Sequence, residues 1–348
     1  MKWMKKHKIL TGCLLTFLLL IGLVLGYIWS KLSLIQYMTG NETDYSQESR
    51  PPEESQGQIV DASGLPVSQV PPPIPFERIE KRDDIVNILL LGTDERTRDF
   101  SIWARSDSMI LISINKTDHT VKLVSLERGM GVPVLEGEHE GQYDWLTHIF
   151  QYGGADLVCK TVEHCFRIEI DHYVRINFTT VTSVVDAIGG IDVEMTGPEV
   201  GYLNTVYEST DQLFRAGLRV GMNHIDGTVA LDYARLREID SDWQRVERQR
   251  KVILAVVNQL KNSGLDDLDN LLNQVLPLIQ TDMTMLEITQ LMLYSPNFLK
   301  AEFDQMTIPR EGTYGAMSGM GGRTLFAVDF EENSRILREF LYGETEKP

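Results

Sequence analysis

The chain has 348 residues, 43% of them hydrophobic, and a formal net charge of −17. That length is ample for one large globular domain or two small ones. So acidic a chain is a poor generic nucleic-acid binder, which needs a broad basic face, but a polyanionic substrate is still compatible with a local cluster of arginines.

Residues 1–8 carry Lys2, Lys5, Lys6 and Lys8 and no acid, and Ile9 to Trp29 carries no charge. An uncharged run of that length can cross the hydrocarbon core as a helix. Gly26-Tyr27-Ile28-Trp29 offers no small-x-small cleavage site, and Tyr27 and Trp29 suit a membrane interface, so an uncleaved anchor is expected. The lysines place residues 1–8 in the cytoplasm and everything after about Ser30 outside, which makes the chain a single-pass protein of the cell membrane. Residues 30–82 read as an extracytoplasmic spacer; its 41–76 portion holds seven of the thirteen prolines. A short strand near Gln58 to Val60 is allowed within it.

The folded domain is expected over residues 83–343. Ile85 to Leu91, Met109 to Ile114 and Thr120 to Leu126 read as strands, with turn chemistry at Asn115-Lys116-Thr117-Asp118 between the last two. Helices follow at Leu146 to Tyr152 and Ala155 to Cys165, then a strand at His172 to Phe178, a helix at Thr179 to Ile188 and a strand at Ile191 to Met195. A short helix at Gly227 to Ala234 leads to a long one from about Ser241 to Lys261, capped by Ser241 or Asp240. Further helices are predicted at Leu265 to Ile279 and Leu286 to Leu293, and a last strand and helix at Thr324 to Asp329 and Glu332 to Tyr342. Alternating strands and helices make an α/β layered class the expectation.

Cys13 lies in the apolar run. Cys159 and Cys165 share a predicted helix, where six residues span ~9 Å, beyond usual disulfide reach, so two thiols are expected. No Gly-x-Ser-x-Gly elbow occurs. Gly315 to Gly322 lacks the Gly-Lys-Ser/Thr of a phosphate loop and reads as a flexible turn.

Four clusters carry chemistry. Asp94 and Arg96 follow a buried strand, where ligands of open α/β sheets bind. Arg105 and Asp107 precede the next strand; if the two strands pair antiparallel, Asp94 and Asp107 become neighbours able to share Mg²⁺. A second hairpin returns Arg128 to the same rim. The fourth cluster is Arg235, Arg237, Asp242, Arg245, Arg248, Gln249 and Arg250. Asp242, Arg245 and Gln249 follow i, i+3, i+7 spacing and share a face with Val252, Ile253, Val256 and Leu260, which should be the buried face. For Arg248, Arg250 and Lys251 a solvated face is expected. Arg245 continues the apolar stripe and needs anionic partners. Spacing alone leaves two readings open for it: an internal ion-pair network with Asp242, or a guanidinium cage for phosphate oxygens.

In these clusters the sequence resembles the LytR-CpsA-Psr family of bacterial cell-wall phosphotransferases. The ordered pieces run from Asn87 to Arg96 (NILLLGTDER) through Arg105-Ser106-Asp107-Ser108-Met109, Ser125-Leu126-Glu127-Arg128, Tyr152-Gly153-Gly154, Ile170 to Val174 and Val185 to Val193. They continue from Asp226 to Leu231 and through Arg235-Leu236-Arg237 to Arg245 and Arg248-Gln249-Arg250. The resemblance implies an α-β-α sandwich around a mixed central sheet, with a tunnel for an isoprenoid tail. It implies transfer of a phospho-glycopolymer from a polyprenyl-pyrophosphate carrier to peptidoglycan, with the bilayer at hand and no nucleic acid as partner. Asp94 and Asp107 would hold Mg²⁺. Arg105, Arg128, Arg235, Arg237, Arg245 and Gln249 would bind the pyrophosphate, with Arg96 and Asp242 in support, and Asp107, Arg128 and Arg235 would be catalytic, Asp107 as proton acceptor. Three positions depart from the family pattern: Glu127 stands for a proline, Gly129 for an aspartate and Trp145 for a lysine. They leave two alternatives: a non-catalytic lipid-pyrophosphate scaffold or regulator, and a hydrolase of the same lipid.

Overall fold

The computed structural model describes residues 26–38, 67–68, 82–95, 100–101, 103–210, 212–261, 265–298 and 303–343. In chain order the main elements are β1 (Ile85–Thr93), β2 (Ser106–Asn115), β3 (Thr120–Leu126), α1 (Leu146–Phe166), β4 (His172–Asn177), α2 (Phe178–Ala187), β5 (Ile191–Met195), α3 (Gly197–Ser209), β6 (Gly221–Ile225), α4 (Gly227–Arg235) and α5 (Asp242–Lys261). They continue with α6 (Leu265–Val275), α7 (Met285–Phe298), β7 (Phe303–Ile308), β8 (Tyr314–Ser318), β9 (Thr324–Val328) and α8 (Phe330–Tyr342).

The centre is a mixed seven-stranded sheet, ordered Gln36-Tyr37, Gln280-Thr281, β4, β1, β2, β3, β7. β1–β2 and β2–β3 are antiparallel hairpin pairs, while β4 joins β1 and β7 joins β3 in parallel. Because side chains alternate along a strand, each strand feeds two cores. Leu89, Leu91, Met109, Leu111, Val124 and Leu126 pack with α1 and α8 on one face. Ile110, Val121 and Leu123 meet Ile253 and Leu254 of α5 on the other. This is the α/β arrangement expected, with helices on both faces. A second cluster joins α2, β5, β6, α3 and α4 to the flank of α5 through Val252, Ala255, Val256 and Leu260.

The predicted break between two helices at Gly153-Gly154 is a kink inside α1, where both residues leave helical geometry. Cys159 and Cys165 are free thiols, as expected, because α1 continues to Phe166. The helix predicted to Ile279 stops at Val275; Pro277 cannot donate to an α-helical ladder, and a 3₁₀ turn and the strand Gln280-Thr281 follow. Gly315 to Gly322 is more than a turn: it contains β8 and one 3₁₀ turn. The spacer boundary also changes. Leu32 and Ile35 are buried, Gln36-Tyr37 form an edge of the main sheet, and Val67-Ser68 pair with Ala316-Met317. The strand allowed near Gln58 lies outside the described residues. So does the expected anchor, except for residues 26–29, which are helical. Among the described residues no helix is long and apolar enough to cross a membrane.

The arginines of α5 also depart from expectation. Lys251 is exposed, but Arg248 is buried, and Arg250 reaches the sheet to bond Ser125 and Thr307. The helix touches the sheet on one flank and the second cluster on the other, so its solvated strip is narrow. Arg248 donates from Nη1 to Asp240 (2.6 Å) and from Nη2 to Asp240 (2.7 Å) and to the Leu236 carbonyl (2.6 Å), with Glu199 a further partner at 3.3 Å. It thereby ties down the segment that carries Arg235 and Arg237. Arg248→Ala removes the counter-charge of buried Glu199, which keeps only its capping-box bonds from Thr196. It is expected to cost about 3–5 kcal/mol, read from the denaturant midpoint.

Candidate functional site

The antiparallel pairing of β1 and β2 builds the rim. Gly92 faces Ser108, and a side chain at Gly92 would put Cβ 2.9 Å from the Ser108 Cβ, so the close approach requires glycine. Beyond the pair, the Asp94 N–H donates to the Arg105 carbonyl (3.2 Å) and the Arg105 N–H to Asp94 Oδ1 (2.9 Å). Asp94 and Asp107 are thus neighbours, as the hairpin argument expects. β3 returns Arg128 to the same rim. Arg128 donates from Nη1 to Asp107 Oδ1 (2.9 Å) and from Nε to Asp242 Oδ2 (3.0 Å), and the Thr147 hydroxyl also donates to Asp107 Oδ1 (3.3 Å).

The second cluster supplies the opposite wall. At Gly227 an added Cβ would lie 2.2 Å from the Thr182 carbonyl oxygen, so α4 crosses α2 nearly in backbone contact. That approach leaves Arg235, at the end of α4, with its guanidinium 4.3 Å from the Phe178 ring centroid. Arg235 and Arg237 are exposed. Arg245 is buried; its Nη1 lies 3.1 Å from Asp242 Oδ1, while Nε and Nη2 are buried with no hydrogen-bond partner. Nε of Arg105 is in the same condition.

These walls enclose a cavity of about 630 Å³. Asp94, Arg105, Asp107, Arg128, Arg235, Arg237, Arg245 and Gln249 all line it, and it continues into apolar lining from Phe178, Val181, Leu203, Val206, Val252 and Ile253. Asp242 sits behind, shared by Arg128 and Arg245. Arg96 lies outside the described residues. Both readings of Arg245 therefore hold in part: one nitrogen meets Asp242, and two donors are left for an anion.

Electrostatics sort the acids. Burial opposes ionisation of Asp107, yet Arg128 and Arg245 overcome it and hold the carboxyl below its usual range. That pairing makes Asp107 a poorer proton acceptor than the sequence reading assumes. Burial pushes Asp94 up, the Arg105 N–H opposes it, and Asp107 adds repulsion. Burial lifts the Glu127 carboxyl to about 7, with Asp242 adding to the rise and Arg245 and Arg128 opposing it.

The residues fit Mg²⁺ in a limited way. Among the described residues no group of three or more His, Cys, Asp or Glu side chains forms a metal cluster. Mg²⁺, however, is commonly bound by one or two carboxylates together with substrate phosphates and water. Asp94 and Asp107 repel each other across one cavity and each engages protein donors through Oδ1, which suits such a shared, substrate-completed site.

Sequence reasoning missed α3, whose Tyr202 and Tyr207 line the cavity. The signal was present: Thr196-x-x-Glu199 is a capping box with Pro198 in the first turn, and the structure forms that box. Two departures are also explained. A Cβ at Gly129 would lie 3.1 Å from the Phe326 ring. Trp145 is buried and donates its indole N–H to the Thr324 carbonyl.

The LytR_cpsA_psr family model matches residues 34–339. The polyisoprenyl-teichoic acid–peptidoglycan teichoic acid transferase TagU of Enterococcus faecalis is 32% identical over 259 residues, which are 73% of this chain and 78% of that protein. Among solved structures, TagT bound to LI-WTA aligns with a TM-score of 0.58 at 27% identity, covering 76% of this chain and 94% of that one. YwtF (TagT), a LytR-CPS2A-psr family protein with bound octaprenyl pyrophosphate lipid, aligns with a TM-score of 0.55 at 25% identity, over 76% of this chain and 94% of that one.

The pairing pattern separates the arginines by stability. Arg128→Ala strands Asp107 and Asp242 and is expected to cost about 3–5 kcal/mol. Arg237→Ala, at an exposed position, is expected to stay within about 0.5 kcal/mol of wild type. Arg235→Ala loses its stacking on Phe178 and a solvent-screened attraction to Asp232, together about 0.5–1 kcal/mol. Chemical unfolding of the three variants checks the order.

Proposed function

The chain belongs to the LytR-CpsA-Psr family, and we propose that it transfers a phospho-glycopolymer from a polyprenyl-pyrophosphate carrier to peptidoglycan. The observation that carries this reading is the convergence of five arginines with the neighbouring pair Asp94 and Asp107 on one cavity, also lined by Asp232 and Glu238, whose far wall is apolar. A pyrophosphate needs several guanidinium forks, and an isoprenoid tail needs a dry continuation. The relatives named as teichoic acid transferases, and a structural neighbour carrying octaprenyl pyrophosphate, support the same assignment.

Phosphoryl transfer depends on positioning and charge neutralisation more than on covalent catalysis. Arg105, Arg128 and Arg245 would hold the pyrophosphate from the buried side, and Arg235 and Arg237 would close on it from the exposed side. The acceptor hydroxyl attacks the sugar-side phosphorus, and polyprenyl phosphate leaves into the apolar end. Mg²⁺, held by Asp94 and Asp107, would neutralise charge on the phosphates. Asp94, the more basic of the two acids, replaces Asp107 as the candidate proton acceptor. The uncharged run from Ile9 to Trp29 would anchor the chain, with the folded domain outside the cytoplasm and the carrier lipid in the same bilayer.

The full-length protein in detergent, with Mg²⁺, labelled polyprenyl-pyrophosphate saccharide and peptidoglycan, is expected to move label to the glycan. Chelation with EDTA should stop it. Arg235→Ala, which disturbs folding little, should slow it ~10²–10³-fold, the range for removing one charge-stabilising donor. Lipid bound but unchanged in the presence of acceptor would reject transfer in favour of a scaffold. Release of phospho-sugar without acceptor would identify a hydrolase.

A further inference from the structure

We propose that Glu127 is a positioning residue of this pocket, the counter-charge of Arg245 before substrate binds, and that it takes up a proton from solvent when the pyrophosphate arrives. The inference rests on the lipid-pyrophosphate reading above and adds a proton to it.

Glu127 follows β3 at the inner side of the rim, with no exposed surface. Neither carboxylate oxygen has a hydrogen-bond partner of good geometry, although the Gly129 N–H is directed at the group and favours its ionised form. The groups that face it can be named. Helix α5 presents Asp242 and Arg245, its own turn presents Arg128, and β9 brings the uncharged Phe326 ring against Gly129. An added Cβ at Gly129 would lie 3.9 Å from Glu127 Oε1. The Glu127 carboxylate therefore lies on the side toward which an acid at 129 would point. Position 129 is where the resembled family has an aspartate, so the acid is here supplied two residues earlier.

The local charges leave two groups short of partners. Arg128 uses Nε and Nη1 on Asp242 and Asp107. Asp242 is divided between Arg128 and Arg245. That leaves Arg245 with two buried donors unmatched and Glu127 with two buried acceptors unmatched. A buried charge without bonded partners is costly, and each of these two is tolerated because the other is near. Phosphate oxygens that accept from Arg245 Nε and Nη2 change this. The attraction that keeps Glu127 ionised is taken up by the ligand, and the ligand's own negative charge repels the carboxylate. One solvent proton then converts the carboxylate to the acid, with no other bond made or broken. The neutral acid gains an O–H donor where the carboxylate had none.

The sign of the pH dependence follows. The bound state holds more protons than the free state, so affinity weakens as pH rises through about 7, where burial places the free carboxyl. The slope is at most roughly tenfold per pH unit for one proton.

The test uses the full chain in detergent at fixed saturating Mg²⁺. The probe is farnesyl-pyrophosphate-N-acetylglucosamine, a diester with no ionisation near neutral pH. Calorimetry in buffers of different ionisation enthalpy counts protons. Wild type is expected to take up a fraction of a proton per bound probe at pH 7 and to lose affinity several-fold from pH 6 to pH 8. Glu127→Gln should take up none, hold a flat profile and bind more tightly than wild type at pH 8. On the wild-type protein alone, probe-induced infrared difference spectra should gain a protonated-carboxyl band, which keeps the test open should the variant misfold. Binding by wild type without proton uptake or a new carboxyl band, or parallel profiles for the two proteins, overturns this inference and leaves the substrate reading standing. Failure of wild type to bind the diester at any pH sinks the substrate reading, and this inference with it.

Discussion

Like charges are forced together in this protein, and the rest of its architecture makes sense as the means of holding them. Arg245 is desolvated and also repelled by Arg128, and both effects push its guanidinium toward losing charge. Guanidinium does not deprotonate in proteins, so the cost is borne as stored electrostatic energy. Asp107 and Asp242 offset part of it. Keeping Asp242 between Arg128 and Arg245 requires the start of α5 to face the rim of the sheet, and the sheet core and the second cluster clamp α5 on two flanks to achieve that. An anion with several oxygens is the natural completion of such a site.

Not every arginine withdrawn from solvent belongs to that site, and where its unmatched donors lie is what separates them. Arg175 is as deeply buried as Arg245. It nevertheless bonds Gln280, Glu95 and the Ser101 carbonyl, and its guanidinium lies between the Phe100 and Phe150 rings. Arg248 spends both terminal nitrogens on Asp240, Glu199 and the Leu236 carbonyl, leaving Nε unmatched away from the cavity lining. Arg245 and Arg105 keep unmatched buried donors on the cavity wall. A guanidinium engaged by the protein away from the cavity supports structure, whereas one with donors to spare on the cavity wall gains when a phosphate arrives. Burial alone would have grouped Arg175, Arg245 and Arg248 and passed over the half-buried Arg105.

The sheet centre and its rim were legible because hairpin pairing follows from short turns and alternation. From Asn115-Lys116-Thr117-Asp118 and the apolar runs on either side one can derive that Asp107 and Arg128 share one edge, and Asp94 joins them given antiparallel pairing of β1 with β2. The convergence of α4 and α5 on that edge was not derivable from periodicity. It rests on Gly227 meeting Thr182 at backbone distance, a contact that no local pattern announces; the family resemblance supplied it. The fate of Arg248 and Arg250 was hidden for a related reason. A hydrophobic stripe marks one buried face, but α5 has neighbours on two sides, and Arg248 and Arg250 add charged bonds beside its apolar contacts. Small elements such as Gln36-Tyr37 carry too few residues to show a period at all, and their partner is far along the chain at Gln280-Thr281.

Two of the three departures from the family pattern, Gly129 and Trp145, reduce to the packing of one strand. Neighbouring residues on a strand point to opposite faces, and β9 uses both faces beneath the rim. Leu325 packs in a cluster with Trp145 and Met317, and the Thr324 carbonyl takes the Trp145 indole N–H. Phe326 lies over Gly129, bonds its carbonyl and packs against Tyr314 and Trp243. With an aromatic ring in that place, a carboxylate at 129 would be pressed into an apolar wall. With an indole at 145, the cation of the family pattern gives way to a core side chain. Arg323 restores a positive charge nearby, 5.8 Å from the Trp145 ring and 3.6 Å from Asp144 Oδ2. Glu127 restores the acid. Gly129 and Trp145 thereby belong to an apolar, aromatic layer behind the rim, with Glu127 and Arg323 as the charges beside it. The altered positions are therefore a coherent repacking, and they argue for a site kept in use.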